Sequence, residues 1–360
     1  MNFIRITKRD NLSRKNEFLI TLLAIVLSIV FAGIILVIFG LNPFEIFKEI
    51  ILGSVGTGLR VKQTIVKAVP LIITSMGIIV AFKMKFWNIG AEGQITMGAL
   101  GASWVALNLS PDLPQPIMLL LMMIGAAVCG GIWAFIPAIF KAKLGTNETI
   151  FTLMMNYVAI KFVTYLQYGP WMDPAANGFP KIAMFPDNAV LPKLGGVNIG
   201  WILAILAAAF VYFFMNYTKK GYEITVVGES IETARYAGMN ISRIIVVAML
   251  ISGGLCGITG MIQASAIEKT LVYGIANGYG FTAIITAWLS KLNAGYAVAV
   301  CAVFAMLIQG GQYIQIALGV PSAVSDIVQG LILFFVLGSE FFMRYKVHIG
   351  RNSKEVAYSW

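Results

Sequence analysis

The 360-residue chain is 59% hydrophobic and only 12% charged, with a mean hydropathy of +0.84 and a formal net charge of +10. Soluble domains average about 25% charged residues, so this composition excludes a soluble enzyme and leaves an all-α polytopic membrane protein. The positive charge is spread in the pattern that orients membrane helices, and it does not mark a nucleic-acid-binding face.

Arg5, Lys8, Arg9, Arg14 and Lys15 fill a cytoplasmic N-terminal tail over 1–17. An uncharged run, 18–39, follows and is long enough to span a bilayer, which needs about 20 residues. It is too long for a signal-peptide core and is expected to be retained. Asn42-Pro43 breaks this helix. Phe44, Phe47, Ile50 and Ile51 then recur at helical spacing, which predicts a short interfacial helix within the basic segment 43–63. Further spans are predicted at 64–82, 89–109, 116–140, 148–168, 199–217, 241–265, 281–290, 294–309 and 322–343. The segments at 281–290 and 294–309 are short and fit tilted, broken or half-spans. Ten spans put both termini in the cytoplasm, with a C-terminal tail at 344–360. The predicted cytoplasmic pieces then hold most of the Lys and Arg, as the positive-inside rule requires. A single transmembrane domain, 18–343, accounts for the whole interior of the chain.

Two connections are too long for simple turns. The external loop 169–198 carries Pro170, Pro174, Pro180, Pro186 and Pro192, and this density favours an irregular ordered cap. The cytoplasmic loop 218–240 carries helix punctuation. Glu229 or Ser230 can cap a short helix that runs through Ala237, and Gly238 can end it in the left-handed conformation. That helix presents Glu229, Glu232 and Arg235 at intervals of three. It either lies on the membrane or docks in a groove on a soluble partner.

The run Asn88-Ile89-Gly90-Ala91-Glu92-Gly93-Gln94 lies between two apolar segments. A carboxylate near hydrocarbon costs about 2.5–3.5 kcal/mol on insertion scales, which makes it a functional-site candidate. Polar, irregular backbone at membrane depth survives only against protein or a water-filled cavity. Glu92 and Gln94 fit either a polar lining or gate on a solute path, or hydrogen bonds between packed helices. Asn88 is placed to cap the following helix at Ile89. Asn156 either faces the pathway or bridges helices. Gly90 and Gly93 allow close helix approach, continued by Ala91, Gly98, Gly101 and Ala102.

Enzyme signatures do not appear. The chain has no Gly-rich phosphate loop ending in Lys-Ser or Lys-Thr and no nucleophile–base pair. Cys129, Cys256 and Cys301 each stand alone in apolar runs, so no metal site or disulfide framework is predicted, and the single His348 is given no role. The chain therefore cannot hydrolyse ATP by the P-loop mechanism. If it moves solute uphill, the energy comes from a partner or an ion gradient. An ion-coupled carrier should hold acids mid-span in several helices, and no acid is clearly placed there.

Residues 88–94 closely resemble the marker of bacterial ABC importer permeases of the simple-sugar and nucleoside type. Gly221–Asn240 with the glycine-rich span after it, Gly280-Phe281-Thr282-Ala283-Ile284, Leu144–Ile150 and Asn156-Tyr157 resemble further markers, in family order, over about 60–340. The sequence departs at Thr286, Trp288 and Ser290, and Trp288 can stack on a base or sugar face or serve as an ordinary interfacial aromatic. The resemblance implies a type II-like permease of the plasma membrane that works by alternating access. It implies a cytoplasmic ATP-binding-cassette ATPase that uses ATP and magnesium, a second and related permease chain, and an external receptor lipoprotein. The permease itself binds no cofactor. The marker is typical of nucleoside-uptake systems, with simple sugars as the alternative solute. ATPase coupling falls on Gly221, Gly228, Glu229, Glu232, Arg235 and Gly238, and the solute path on Asn88, Glu92, Gln94, Asn156 and Trp288. The reading from another class is an ATP-independent, ion-coupled carrier.

Overall fold

In a computed structural model of the protein, residues 4–8 and 14–349 are described. The chain is helical throughout its apolar length and divides into two compact units. One unit joins Met1–Gly56 to Leu307–Trp360, and the other is Thr57–Met306.

The first unit is built on α1 (Arg14–Ile38), α2 (Pro43–Val55), the end of α12 (Ala294–Leu318) and α13 (Ser322–Arg344). Gly40, at φ 74°, ends α1, and Asn42 starts α2: its side chain accepts the Phe44 N–H at 3.1 Å, and Pro43 occupies the first turn, where its missing donor costs nothing. The two helices meet at 117°. Leu36, Ile46, Ile50, Ile314, Val320 and Val324 form the core. The predicted span 294–309 ends too early. The polar run Gln309-Gly310-Gly311-Gln312 interrupts the hydropathy, but the helix continues to Leu318 because Gly310 lets α12 close on the backbone of Ile50. Two strands absent from the sequence expectations, β1 (Ile4–Lys8) and β4 (Tyr345–Ile349), pair antiparallel with Arg5 opposite His348.

The second unit holds α3 (Gly58–Lys83), α4 (Ala91–Asn108), α5 (Gln115–Leu144), α6 (Glu148–Tyr168), α7 (Gly200–Tyr217), α8 (Lys219–Glu229), α9 (Ile231–Tyr236), α10 (Ile241–Ile262), α11 (Tyr279–Leu289) and the start of α12. Its centre is α4, packed against α5, α6, α10 and α11, with α10 and α11 also lying on α3. Glycines draw these helices together: a Cβ on Gly257 would overlap the carbonyl of Ala126 on α5, and one on Gly98 would overlap Gly257 itself. The outward face of α5 carries the exposed stripe Ile117, Leu120, Ile124, Val128 and Ile132, the face a helix turns to lipid.

Among the described residues, six helices are long and apolar enough to cross a membrane alone, and the α1–α2 pair makes seven. Three of the ten predicted spans are not among these: α13, whose side chains are described only in part, α4 and α11. α4 is polar because nearly every side chain in it is buried against protein. α11 has 11 residues and so extends about 16 Å, roughly half the hydrocarbon thickness. The loop 169–198 is an ordered cap with short 3-10 turns at Pro174–Ala176 and Asp187–Ala189 and a hairpin of β2 (Lys193–Leu194) and β3 (Val197–Asn198).

Candidate functional site

The run 88–94 folds into a polar knot at the start of α4. Asn88 and Gln94 pair through their amides: Asn88 Nδ2 donates to Gln94 Oε1 at 3.1 Å, and Gln94 Nε2 returns to Asn88 Oδ1 at 3.0 Å. Asn88 Nδ2 also donates to Ser252 Oγ on α10. The expected cap at Ile89 is corrected here. The helix starts two residues later, at Ala91, after Gly90, which makes no side-chain capping bond. Asn88 Oδ1 instead accepts the Gly90 N–H in a turn. Asn156 of α6 clamps the same loop, accepting from Gly93 N at 2.8 Å and donating to Ile89 O at 2.8 Å. Thr152, one turn earlier, accepts from Ile89 N. These polar side chains are buried and partnered, as buried polar groups must be.

Glu92 projects from the first turn of α4 to the N-terminus of α11. Its two carboxylate oxygens accept Gly278 N at 2.7 Å and Gly280 N at 2.8 Å. A Cβ on Gly280 would run into the backbone of Glu92, so glycine is required for this approach. One carboxylate thus faces the positive ends of two helices, α4 and α11. Each such placement stabilises a charge by about 0.3–1 kcal/mol, and by up to about 2 in partly buried geometry. These contacts offset the cost of burying the charge.

The structure brings together Asn88, Glu92, Gln94 and Asn156. It places Trp288 elsewhere, at the far end of α11. Trp288 stacks on Trp87 with ring centroids 5.2 Å apart and planes at 19°, and Phe82 closes the cluster at 5.9 Å from Trp288. Trp87, Thr152, Ser252 and Gly278 were missed by sequence reasoning, and Gly280 was read only as part of a family marker. Trp87 and Ser252 lie in or beside marker segments without standing out there, and Thr152 and Gly278 carry no local signal.

The loop 218–240 holds two helices where one was expected. α8 begins at the Thr218 cap, whose Oγ1 accepts Gly221 N at 3.1 Å. It lies against the ends of α7 and α3. A Cβ on Gly221 would overlap the carbonyl of Phe214, and one on Gly228 would overlap the carbonyl of Lys83. Gly221 and Gly228 are therefore packing positions within this chain. Glu223, buried, pairs with Lys220 at 2.7 Å. α9 follows from a Ser230 cap, its Oγ accepting Thr233 N at 3.1 Å, and Gly238 ends the segment at φ 72°. Glu229, Glu232 and Arg235 are exposed, and so is Tyr236 beside them. Hydrogen bonds from its own backbone N–H and from the Ser230 hydroxyl hold the Glu232 carboxyl below the usual range. Among the described residues, no group of His, Cys, Asp and Glu could hold a metal ion.

The family model for the branched-chain amino acid transport system permease component matches residues 60–337. The chain belongs to this family. The permease is 34% identical to the glucose ABC transporter permease protein TsgB13 of Haloferax volcanii, covering 91% of this chain and 89% of that protein. It is 33% identical to the guanosine ABC transporter permease protein NupP of Bacillus subtilis, covering 91% and 94%. It is 30% identical to the nucleoside ABC transporter permease protein NupB of Lactococcus lactis, covering 90% and 92%. The permease is thus a multi-pass transport subunit of the plasma membrane and not an enzyme.

Proposed function

We propose that the permease carries nucleosides into the cell by alternating access, driven by a separate ATP-binding-cassette ATPase. The observation that carries this reading is the construction of α8 and α9. α8 is seated on the ends of α3 and α7 through Gly228 and Gly221, while Glu229 at its end and Glu232, Arg235 and Tyr236 of α9 are exposed to a partner. A helix docked there moves with α3 as a rigid lever, the kind of element that transmits a partner's closure as rigid-body motion. The knot at 88–94 ties α4 to α6 and α10, and Glu92 ties it to α11, so a push on α3 is passed through packed helices. ATP and magnesium belong to the partner. A second, related permease chain completes the pathway, and an external receptor delivers solute at the cap 169–198.

Two of the three relatives are named for nucleosides or guanosine. A sugar is the second reading, favoured by the glucose permease at 34% identity. The test is uptake of labelled guanosine and glucose by proteoliposomes that hold both permeases, the ATPase and the receptor. Uptake should require hydrolysable ATP and should be stronger for guanosine. Uptake that persists without the ATPase and collapses with an ion gradient would overturn the reading in favour of an ion-coupled carrier.

A further inference from the structure

A cavity of about 200 Å³ opens between α3, the end of α10 and the loop that enters α11. Its walls are unusual. α10 leaves α-helical geometry at Gln263–Glu268 and continues as a π-helical turn, a form that is rare and concentrated at functional sites. The loop beyond holds Lys269 at φ 54° and Asn277 at φ 47°, left-handed conformations that non-glycine residues seldom adopt.

The loop is held in place from several sides. Thr270 Oγ1 donates toward the carbonyls of Ile182 and Ala183 at 3.0 and 3.1 Å, Phe185 N donates to Lys269 O at 2.9 Å, and Tyr273 N donates to Gln167 Oε1 at 2.8 Å. Glu92 fixes its lower end at Gly278. So much fixation of an irregular loop is the preorganisation that a binding site requires.

The lining is polar and of mixed sign. Lys67, within α3, and Glu268, on the π-helical turn, share the cavity with Gln263, Asn277, Tyr273 and Tyr279. A cation inside a membrane helix is a functional-site candidate on energetic grounds. Lys67 and Glu268 attract each other electrostatically yet do not close into an ion pair. A donor and an acceptor held apart in one small cavity suit a neutral ring with neighbouring hydroxyls, which accepts from the ammonium and donates to the carboxylate. A phosphate ester of the same ring would bring a dianion against Glu268.

We propose that this cavity holds the transported solute before it passes the Glu92-bound loop, and that Lys67 and Glu268 select neutral polyhydroxy rings over their phosphorylated forms. The proposal rests on the import reading for its direction of transport. Binding itself is tested separately. Ile267 lines the cavity without offering a polar contact, so Ile267→Cys serves as a reporter in the full-length permease, labelled by a charged thiol reagent, with the unsubstituted chain correcting for Cys129, Cys256 and Cys301.

Guanosine or glucose at millimolar concentration should slow labelling at least fivefold, and guanosine monophosphate should leave it unchanged. Adding Lys67→Met or Glu268→Gln should abolish the protection. The proposal is overturned if neither neutral solute protects, if the monophosphate protects equally, or if both charge variants protect like the parent. ATP-driven uptake by the complete complex without protection would sink the cavity assignment alone. Protection without ATP-driven uptake would sink the import reading and leave the site standing.

Discussion

Replacing Glu92 by Gln removes one charge and almost no volume, and it tests the bond between α4 and the N-terminus of α11. The carboxylate accepts two backbone N–H groups, at 2.7 and 2.8 Å, with one oxygen each. A glutamine has a single acceptor. Its amide nitrogen would point a donor at a donor, so one of Gly278 N and Gly280 N loses its partner while buried against protein. A hydrogen bond to a charged group contributes about 1.5–3 kcal/mol, and an orphaned buried N–H costs about 1–3. These overlap in one event, so the variant should lose about 2–4 kcal/mol. The assay is thermal unfolding of the purified permease in one detergent, alongside ATP-driven uptake in proteoliposomes. Glu92→Asp, which keeps the charge but shortens the reach, should fall between Gln and wild type. An E92Q variant that melts with wild type would refute the capping argument, whatever its transport. If that variant also lost uptake, the carboxylate would be acting on solute instead.

Three further outcomes are expected. Gly228→Val should insert and accumulate normally yet separate ATP hydrolysis from uptake, because the added side chain overlaps the Lys83 carbonyl and lifts α8 off α3; overpacking of this kind costs about 1–3 kcal/mol. Normal uptake per ATP hydrolysed would refute it. Tyr236→Ala, and separately Arg235→Glu, should weaken ATPase association about tenfold or more in pull-down titrations, since exposed Tyr and Arg commonly anchor interfaces, while leaving the permease's own melting unchanged. Asn156→Leu should lower the melting temperature, because Gly93 N and Ile89 O each lose a buried partner at about 1–3 kcal/mol per group; an unchanged melt would show that the clamp is dispensable.

The parts of the fold that were legible in the sequence are those governed by local rules. Long uncharged runs marked the helices, Asn42-Pro43 marked the break between α1 and α2, and Ser230 with Gly238 bracketed α9, because capping chemistry is written within a few residues. The alternation of Ile4, Ile6 and Val347, Ile349 was a period-two signal for β1 and β4, and it was overlooked in tails read only for charge. α8 gave little warning, since its polar residues hide a helix whose burial depends on glycines meeting α3 and α7. The π-helical turn at Gln263–Glu268 gave none, as nothing in its composition separates it from the helix it extends.

The partners of the candidate site were illegible for a different reason. Asn88, Gln94 and Glu92 were recognisable as costly polar residues, but what offsets their cost lies far along the chain, at Ser252, Gly278 and Gly280. A sequence shows that a buried carboxylate must have donors, and it does not show which donors. Here they are backbone groups, available because α11 is only half a span and begins inside the unit at Gly278 and Gly280. A full-length α11 would place its free N–H groups at the membrane surface, where water could satisfy them. The shortness of α11, noted first as an anomaly of hydropathy, is therefore what gives Glu92 its partners. It also leaves the loop before α11 free to dip inward and form the cavity wall opposite Lys67.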